Sequence, residues 1–393
     1  MNKLYIIGYG MGDDKLLCDD TKEIINLANC VLTTSRIGNN DSKFEKLNLT
    51  QIYERLSMNL KGTTVLLVSG DVGFFSVSRT IYDKFSKMYK ILLINGFSSL
   101  QYFSAKLGFN YDDAKVISVH GRDINIIGAV VYNFKVFVLT GGKSSVNEVA
   151  KKLCKYGLEN VMIYVGENLS YKNESIINGT ALELSRMEFD DLSVMYIINE
   201  NFITNNTTMF DKEFIRSSIP MTKEEIRWVC IQKLCLNSQD IVFDIGSGTG
   251  SIAIESARRV YDGFVYAIET NQDACNLIKE NISKHRTFNI EVVNNMAPDN
   301  FEKLQMPNKA IIGGSKGNIK MIINALLRIN PKIKIVVNAI TIETLSTTID
   351  CFKSNNLYFD CICMNVSKSK ELSKYNMMIA NNPVYIITGI ANE

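Results

Sequence analysis

Residues Val242-Phe243-Asp244-Ile245-Gly246-Ser247-Gly248-Thr249-Gly250 join a short apolar run to three strictly alternating glycines, and Glu269 ends the next apolar run. Glycine lacks a Cβ, so such a turn lets the backbone lie against a ligand. An acid after the second strand can accept both ribose hydroxyls of an adenosine. A dinucleotide fingerprint would place its last glycine one position later. The stretch therefore predicts a site for S-adenosylmethionine (AdoMet), with a dinucleotide fold and a decayed site as the alternatives.

Composition narrows the class of protein. The chain has 393 residues, 46% of them hydrophobic, with five prolines and a net charge of +2. This length predicts two or three domains, and the near-neutral charge without a basic run predicts no nucleic-acid partner. The apolar runs are strand-sized, so no membrane partner is predicted, and the N-terminus has no signal-peptide plan. We expect a cytoplasmic protein.

Nine scattered cysteines and two histidines, His120 and His285, complete the composition. The chain has no C-x-x-C pair, so the residues offer no zinc pattern and no metal site is predicted. Free cysteines in proteins are usually buried, and we expect buried, reduced thiols here.

A polar seam at residues 199–212, rich in asparagine and threonine, predicts an interdomain linker. It separates a domain at 1–200 from one at 213–393, with 201–212 as the linker. Both halves alternate short apolar runs with helical patterns, which predicts an α/β fold. The second half predicts a doubly wound sheet of seven strands, the last antiparallel, with ligand at the carboxyl ends of the strands.

Three further loops of the second half follow predicted strands or open helices. Thr222 and Glu225 form a candidate capping box, which explains that string without any ligand. Residues 313–318, Gly-Gly-Ser-Lys-Gly-Asn, begin a helix and suit a carboxylate, although a tight turn is the simpler alternative. Asn338 and Glu343 follow the next strand, and Glu343 also fits a solvated acid at a helix start.

The first half carries its own strand-end loops. These are 8–12 (Gly-Tyr-Gly-Met-Gly), 70–76 (Gly-Asp-Val-Gly-Phe-Phe-Ser) and 95–100 (Asn-Gly-Phe-Ser-Ser-Leu). His120 and Arg122 follow another strand. That histidine is either structural or, with the arginine, a clamp for an acidic substrate.

Together these motifs resemble the precorrin methyltransferases of cobalamin biosynthesis. Residues 1–200 resemble the C5-methyltransferases of the tetrapyrrole methylase family, and residues from 213 onward resemble the decarboxylating C15-methyltransferases. The whole chain is similar to the fused precorrin-6Y C5,15-methyltransferases. The resemblance implies a two-lobed class III methylase domain followed by a Rossmann-like class I methyltransferase domain, in a homo-oligomer.

The resemblance also implies roles for residues, with one AdoMet site in each domain. Cofactor contacts in the second half are implied at Thr222, Gly246, Ser247, Gly248, Thr249, Gly250, Glu269 and Ala297. Those in the first half are implied at Gly70, Asp71, Phe74, Ser98 and Ser99. Contacts with the tetrapyrrole are expected at Gly10, His120, Arg122, Gly313, Gly314, Ser315 and Asn318. Asn338 is the candidate for holding a substrate carboxylate and Glu343 for a proton shuttle, with Arg216 and Arg227 as further local cations.

Two positions depart from the family pattern. Met296 replaces the acid expected before Ala297 near the adenine, and Val72 replaces a proline after Asp71. The implied activity is methylation of a precorrin or cobalt-precorrin at C5 and C15, with decarboxylation of the C12 acetate.

Two rival functions stay open from the sequence. One is a nucleic-acid methyltransferase, which would need a basic face and, for exocyclic amine targets, an N-P-P-Y-type string. The one near string, Asn382-Pro383-Val384-Tyr385, lacks the second proline. The other is a non-catalytic AdoMet-binding protein, for which Met296 is the best argument.

Overall fold

The computed structural model describes residues 2–12, 16–34, 37, 44–119, 124–142, 144–205, 208–372 and 374–391. The chain forms two compact units. The first comprises Met1–Asp123, Lys135–Cys154 and Glu159–Ile198, and the second comprises Ile124–Phe134, Lys155–Leu158 and Asn199–Glu393. The predicted domain limits at 200 and 213 stay a prediction. The predicted site residues His120 and Arg122 lie outside the described residues.

The first unit contains two five-stranded sheets, ordered β3-β2-β4-β1-β5 and β6-β7-β10-β8-β9. The strands are β1 (Asn2–Gly8), β2 (Cys30–Thr34), β3 (Phe44–Leu47), β4 (Thr63–Val68), β5 (Tyr89–Ile94), β6 (Lys115–Ser118), β7 (Lys135–Leu139), β8 (Met162–Glu167), β9 (Ser175–Thr180) and β10 (Ser193–Ile198). The helices of this half of the chain are α1 (Asp19–Leu27), α2 (Leu49–Ser57), α3 (Ser78–Phe85), α4 (Ser99–Leu107), α5 (Ile126–Val131), α6 (Val146–Lys155) and α7 (Ala181–Leu184).

The first of these sheets is parallel throughout, whereas the second is mixed. Strands β1 and β4 lie in the interior of the first sheet and are nearly continuous apolar runs, as expected for a parallel sheet covered on both faces. Sequence patterns missed β3 and β9, which are edge strands. Their polar and half-exposed residues carry no long apolar run, because only a central strand is buried on both faces.

The second unit contains a seven-stranded sheet ordered β13-β12-β11-β14-β15-β19-β16. Its strands are β11 (Ile241–Ile245), β12 (Phe264–Glu269), β13 (Ile290–Asn294), β14 (Lys309–Ile312), β15 (Lys334–Ala339), β16 (Leu357–Met364) and β19 (Val384–Ala391), with a separate hairpin of β17 (Ser367–Leu372) and β18 (Tyr375–Ala380). Its helices are α8 (Glu224–Leu234), α9 (Ser251–Arg259), α10 (Gln272–His285), α11 (Ile319–Ile329) and α12 (Ile342–Ser354).

The predicted doubly wound α/β sheet is confirmed. Strand β11 lies between β12 and β14. The connection after β11 leads to β12 on one side of it, and the connection after β13 leads to β14 on the other side, which opens a crevice at the carboxyl ends of the strands. The last strand, β19, runs antiparallel to β15 and β16, as predicted. Apolar clusters cover both faces of the sheet, and Phe243 and Val242 of β11 belong to opposite ones.

The start of α8 differs from its prediction. The helix begins at Glu224, its N-cap is Lys223, and no side chain caps it, so the predicted capping box of Thr222 and Glu225 is wrong. Other side chains contact these two residues instead. Lys368 lies 2.7 Å from the Glu225 carboxylate, and Arg227 Nη1 donates to the Thr222 carbonyl at 2.9 Å.

Arg227 is a structural residue rather than a local cation for the substrate. Its side chain is fully buried and pairs with the buried carboxylate of Glu255 and, at 2.9 Å, with Asp211. Its Nη2 donates to the carbonyl of Met209, so the end of the predicted linker packs against α8. Arg216, the other arginine considered for the substrate, is exposed.

The cysteines are all free, but the expectation that they are buried is wrong for most of them. The buried ones are Cys230, Cys275 and Cys351. Cys361 and Cys363 are exposed because β16 is the edge strand of its sheet and alternate residues face outward.

Candidate functional site

The glycine turn after β11 holds three loops in backbone contact. Gly246, Gly248 and Gly250 have φ angles of +71°, +58° and +79°, which side-chain-bearing residues rarely adopt. A Cβ on Gly246 would lie 2.5 Å from the amide nitrogen of Gly314, and one on Gly248 would lie 2.9 Å from the carbonyl oxygen of Pro220. The alternation of glycines therefore follows from the close approach of the turn to the loop after β14 and to the segment before α8.

Glu269 is fixed by backbone donors at the end of β12. Its Oε2 accepts from the amide of Gly248 at 3.0 Å, and its Oε1 accepts from the amides of Thr270 at 2.7 Å and Asn271 at 3.0 Å. The side chain is half-buried and lines the cavity described below. A carboxylate held in place beside a glycine turn suits the predicted acceptor of ribose hydroxyls.

Asp244 lies beneath the turn and is almost wholly buried. Its Oδ2 accepts from the hydroxyl of Ser247 at 2.7 Å, and its Oδ1 has no hydrogen-bond partner among the described residues. Burial raises the pKa of Asp244 to about 7, although the Ser247 hydrogen bond acts in the opposite direction. The hydroxyl of Thr249 is likewise buried and unpartnered. Unsatisfied buried polar atoms at one turn are uncommon and are consistent with a bound ligand or ordered water nearby.

A cavity of about 490 Å³ opens at the carboxyl ends of β11, β12, β14 and β15. This volume falls within the usual range for small-molecule sites. The predicted residues that line it are Thr222, Gly246, Ser247, Gly248, Glu269, Ala297, Gly313, Gly314, Ser315 and Asn338. The structure thus brings together residues from six separate stretches of the chain.

Four predicted residues do not line the cavity. Thr249 is buried beneath the turn, Gly250 precedes α9, and Asn318 precedes α11. Glu343 is exposed in the first turn of α12, where an acid stabilises the positive end of a helix dipole. Its position matches the alternative of a solvated helix-start acid, and a proton-shuttle role gains no support from the geometry.

Sequence reasoning missed several residues of the cavity wall. Pro220 and Met221 line it, and their place in the string that opens α8 was the available signal. Lys316 lines it from within the loop after β14, and Ile340 lines it two residues after Asn338. Met296 also lines the cavity and is 39% exposed, so the position expected to hold an acid presents a thioether to the ligand space.

The residues present fit AdoMet. Glu269 offers a fixed carboxylate for hydroxyl groups, and the glycine turn brings backbone close to the cavity. Apolar side chains form much of the remaining wall, including Ile245, Ile252 and Ile268. Such a wall suits an adenine ring and excludes water from a reactive sulfonium.

In the first unit, three strand-end loops pack backbone against backbone. A Cβ on Gly8 would lie 2.6 Å from the amide of Gly96 and 2.7 Å from the carbonyl of Gly70. Gly10 and Gly70 also exchange two backbone hydrogen bonds, at 3.1 and 2.7 Å. The Asp71 carboxylate ties these loops together, because it accepts from the amides of Gly73 and Gly96.

The remaining predicted residues of this unit differ in their surroundings. Phe74 lies partly buried among aromatic rings, 5.1 Å from Phe75 and 6.2 Å from Phe137 between centroids. Ser98 is 3% exposed and caps α4, exchanging hydrogen bonds with Gln101. Its hydroxyl thus has a structural partner, which accounts for a serine there without a ligand. Ser99 is the first residue of the helix.

Two kinds of feature are absent from the described residues. No group of three or more His, Cys, Asp or Glu side chains in those ranges is placed to hold a metal ion. None of the helices within them combines the length and apolar character that crossing a membrane requires.

Known proteins resemble both halves of the chain. Residues 213–389 match the family model of the precorrin methyltransferase domain, and residues 3–185 match that of the tetrapyrrole (corrin/porphyrin) methylases. A Methanocaldococcus jannaschii protein, a probable cobalt-precorrin-6B C(15)-methyltransferase (decarboxylating), is 39% identical over 183 residues. The match covers 46% of this chain and 96% of that protein.

Solved structures of related proteins cover about half of the chain each. A precorrin-6Y C5,15-methyltransferase from Geobacter metallireducens is 33% identical, covering 47% of this chain and 96% of that one, with a TM-score of 0.45. A precorrin-6Y methylase from Archaeoglobus fulgidus is 17% identical, covering 50% of this chain and 98% of that one, with a TM-score of 0.40.

Proposed function

Because the chain belongs to the precorrin methyltransferase family, AdoMet-dependent C-methyltransferases of cobalamin biosynthesis, we propose that it modifies one precorrin at two carbons. The reactions are methylation at C5, methylation at C15 and decarboxylation of the C12 acetate. One observation carries the proposal. The cavity beside Glu269 is lined by four of the motifs on which the resemblance to C15-methyltransferases rests.

The second unit is assigned the C15 methylation and the decarboxylation. AdoMet would be held by the glycine turn and Glu269, with Ala297 and Met296 beside the adenine. The part of the wall formed by residues 313–315 and Asn338 is left for the substrate. The amides of Gly313 and Gly314 already donate to the Ile245 carbonyl, so the polar side chains of Ser315 and Asn338 are left for the carboxylates of the substrate.

The first unit is assigned the C5 methylation, with a second AdoMet site of its own. Its support is the match to the tetrapyrrole methylases and the packing of the loops around Gly8, Gly70 and Gly96. Asp71 holds two of these loops together, and Phe74 supplies an aromatic surface next to them.

Bound AdoMet supplies an electrophilic methyl group that needs no further activation. The protein's part is to align an electron-rich ring carbon with it and to exclude water, which the apolar wall of the cavity favours. For the decarboxylation, the loop 313–315 and Asn338 hold the acetate carboxylate in poorly hydrated surroundings. The carbon–carbon bond to that carboxylate then breaks, and its electron pair passes into the ring as carbon dioxide leaves.

The test is turnover of the full chain with methyl-labelled AdoMet and precorrin-6B, with and without cobalt in the ring, followed by mass spectrometry. We expect a gain of two methyl groups and the loss of one carbon dioxide. No change in mass would overturn the proposal. A gain of one methyl group together with loss of carbon dioxide would contradict only the role assigned to the first unit.

Variants assign each reaction to its unit. Glu269→Gln removes the charge of the proposed ribose acceptor and should abolish carbon dioxide release and one methylation. Asp71→Asn should reduce the other methylation and leave carbon dioxide release intact. AdoMet titration by calorimetry should give two sites per chain for the wild type and one weakened site in each variant. Light scattering of the same preparations tests the homo-oligomer that the family resemblance implies.

A further inference from the structure

Cys230 is a buried thiol on α8 to which the proposed mechanism gives no role. Its side chain is fully buried and is not part of the cavity wall. Around it lies an apolar cluster that includes Ile226, Ile252 and Val336. In this setting one polar neighbour stands out, because Cys230 Sγ lies 2.8 Å from Oδ1 of Asn338.

Asn338 links that buried cluster to the cavity. It lies at the end of β15 and lines the cavity, whereas its Oδ1 is engaged by the thiol behind it. Its Nδ2 has no hydrogen-bond partner among the described residues. An asparagine amide has nearly the same shape in its two flipped orientations, so sterics alone select neither.

The chemistry of the thiol selects one orientation. Burial raises the pKa of Cys230 to about 12, so the sulfur carries its proton at neutral pH. A protonated thiol donates to an oxygen, whereas sulfur is only a weak acceptor for an N–H. The orientation with Oδ1 toward Cys230 therefore leaves the two N–H donors of Nδ2 for the cavity.

We propose that Cys230 is a positioning residue, which orients the Asn338 amide so that Nδ2 donates to a carboxylate of the substrate. The proposal rests on the proposed function, in which Asn338 holds a substrate carboxylate. In the flipped orientation Oδ1 would face the cavity and repel that carboxylate. The thiol thus sets the polarity of one wall of the site from outside it.

The test compares Cys230→Ala, which removes the donor, with Cys230→Ser, which keeps one. If Cys230 only fills space, alanine is the milder change, because a serine hydroxyl is costly in an apolar cluster. If it positions Asn338, serine is the milder change. We expect Cys230→Ala to raise the KM for precorrin-6B by about threefold to tenfold, the range that one hydrogen bond accounts for. Cys230→Ser should stay within about twofold of the wild type.

Two further readouts separate positioning from packing. Titration of the protein with precorrin-6B, followed by absorbance, should show the same ranking of affinity as KM, while AdoMet affinity is unchanged in both variants. In an Asn338→Ala background the change from Cys230 to alanine should have no additional effect on KM. Independent effects of the two substitutions, or equal KM values for the serine and alanine variants, would overturn the proposal.

The result for the wild-type protein separates a failure of the proposed function from a failure of the positioning role of Cys230. Wild-type protein that neither binds nor converts precorrin-6B refutes the proposed function and this inference with it. Wild-type protein that turns over, with Cys230→Ala indistinguishable from Cys230→Ser, refutes the positioning role alone.

Discussion

Replacing Gly246 with alanine tests whether the close packing of the glycine turn builds the cofactor site. Gly246 has a φ of +71°, and the new Cβ would lie 2.5 Å from the Gly314 amide and 2.6 Å from its carbonyl oxygen. Ordinary contact for a Cβ begins at 3.4 Å, so the two loops must separate by roughly 1 Å. A misplacement of about 1 Å can lower a rate about 100-fold.

Gly317→Ala is the matched control. Gly317 has a φ of +86°, but no atom lies within 4 Å of the position its Cβ would take. Both variants carry the cost of a left-handed alanine, about 1–2 kcal/mol, which lowers the Tm by about 2–8 °C for a unit of this size. Only Gly246→Ala adds the displacement of the neighbouring loop.

The assay is carbon dioxide release from precorrin-6B, with AdoMet binding followed by calorimetry and unfolding followed by circular dichroism. We expect Gly246→Ala to lose about 100-fold in rate and to bind AdoMet more weakly in the second unit, while Gly317→Ala retains AdoMet affinity. Wild-type affinity and rate in Gly246→Ala would refute the reasoning, as would equal losses of affinity in the two variants.

Three other predictions follow from described contacts. Burial raises the pKa of Asp244 to about 7, above the ~3.9 of an unfolded aspartate, so its stabilising contribution is complete below pH ~4 and declines as the pH rises to about 7. Urea unfolding should show that the free energy of unfolding falls less between pH 5 and pH 8 in Asp244→Asn than in the wild type. An equal fall in both proteins would contradict this role of Asp244. Arg227→Met leaves the buried Glu255 carboxylate unpaired and should lower the free energy of unfolding by about 3–5 kcal/mol. The double variant Arg227→Met/Glu255→Gln should recover part of this loss, and a double variant as unstable as the single one would contradict the prediction. Gly8→Ala brings a Cβ within 2.6 Å of the Gly96 amide, so mass spectrometry of the product should show loss of one methylation with carbon dioxide release retained, and two methylations would contradict it.

The elements that the sequence predicted well are those specified by local pattern. The glycine turn at 246–250 appears where expected, because the glycine spacing acts over a few residues. The seven strands of the second sheet and its antiparallel last strand also appear as predicted. Exposed elements escaped prediction: β17 is almost entirely polar and β18 is mostly apolar, yet all described side chains of β18 are exposed. No buried face imposes a period on it.

The parts of the site that could not be predicted depend on contacts between distant positions. Cys230 and Asn338 are 108 residues apart, and the sequence around either residue gives no sign that the two are in contact. The capping box at Thr222 and Glu225 satisfied a local rule, but the Glu225 carboxylate pairs instead with Lys368, which lies far away in the sequence. Glu343 shared a strand-end loop with Asn338, yet the helix start turned it to solvent.

The burial of Arg227 bears on how the two halves of such a fused enzyme can be taken apart. Two of its acceptors, the Met209 carbonyl and the Asp211 carboxylate, precede residue 213, where the family match begins. A fragment that begins at residue 213 would therefore leave Arg227 without two of its hydrogen-bond acceptors, whereas one that begins at residue 208 would keep all of them. The segment before residue 213 is thus a structural part of the second unit. A recombination event that exchanges this unit has to include that segment.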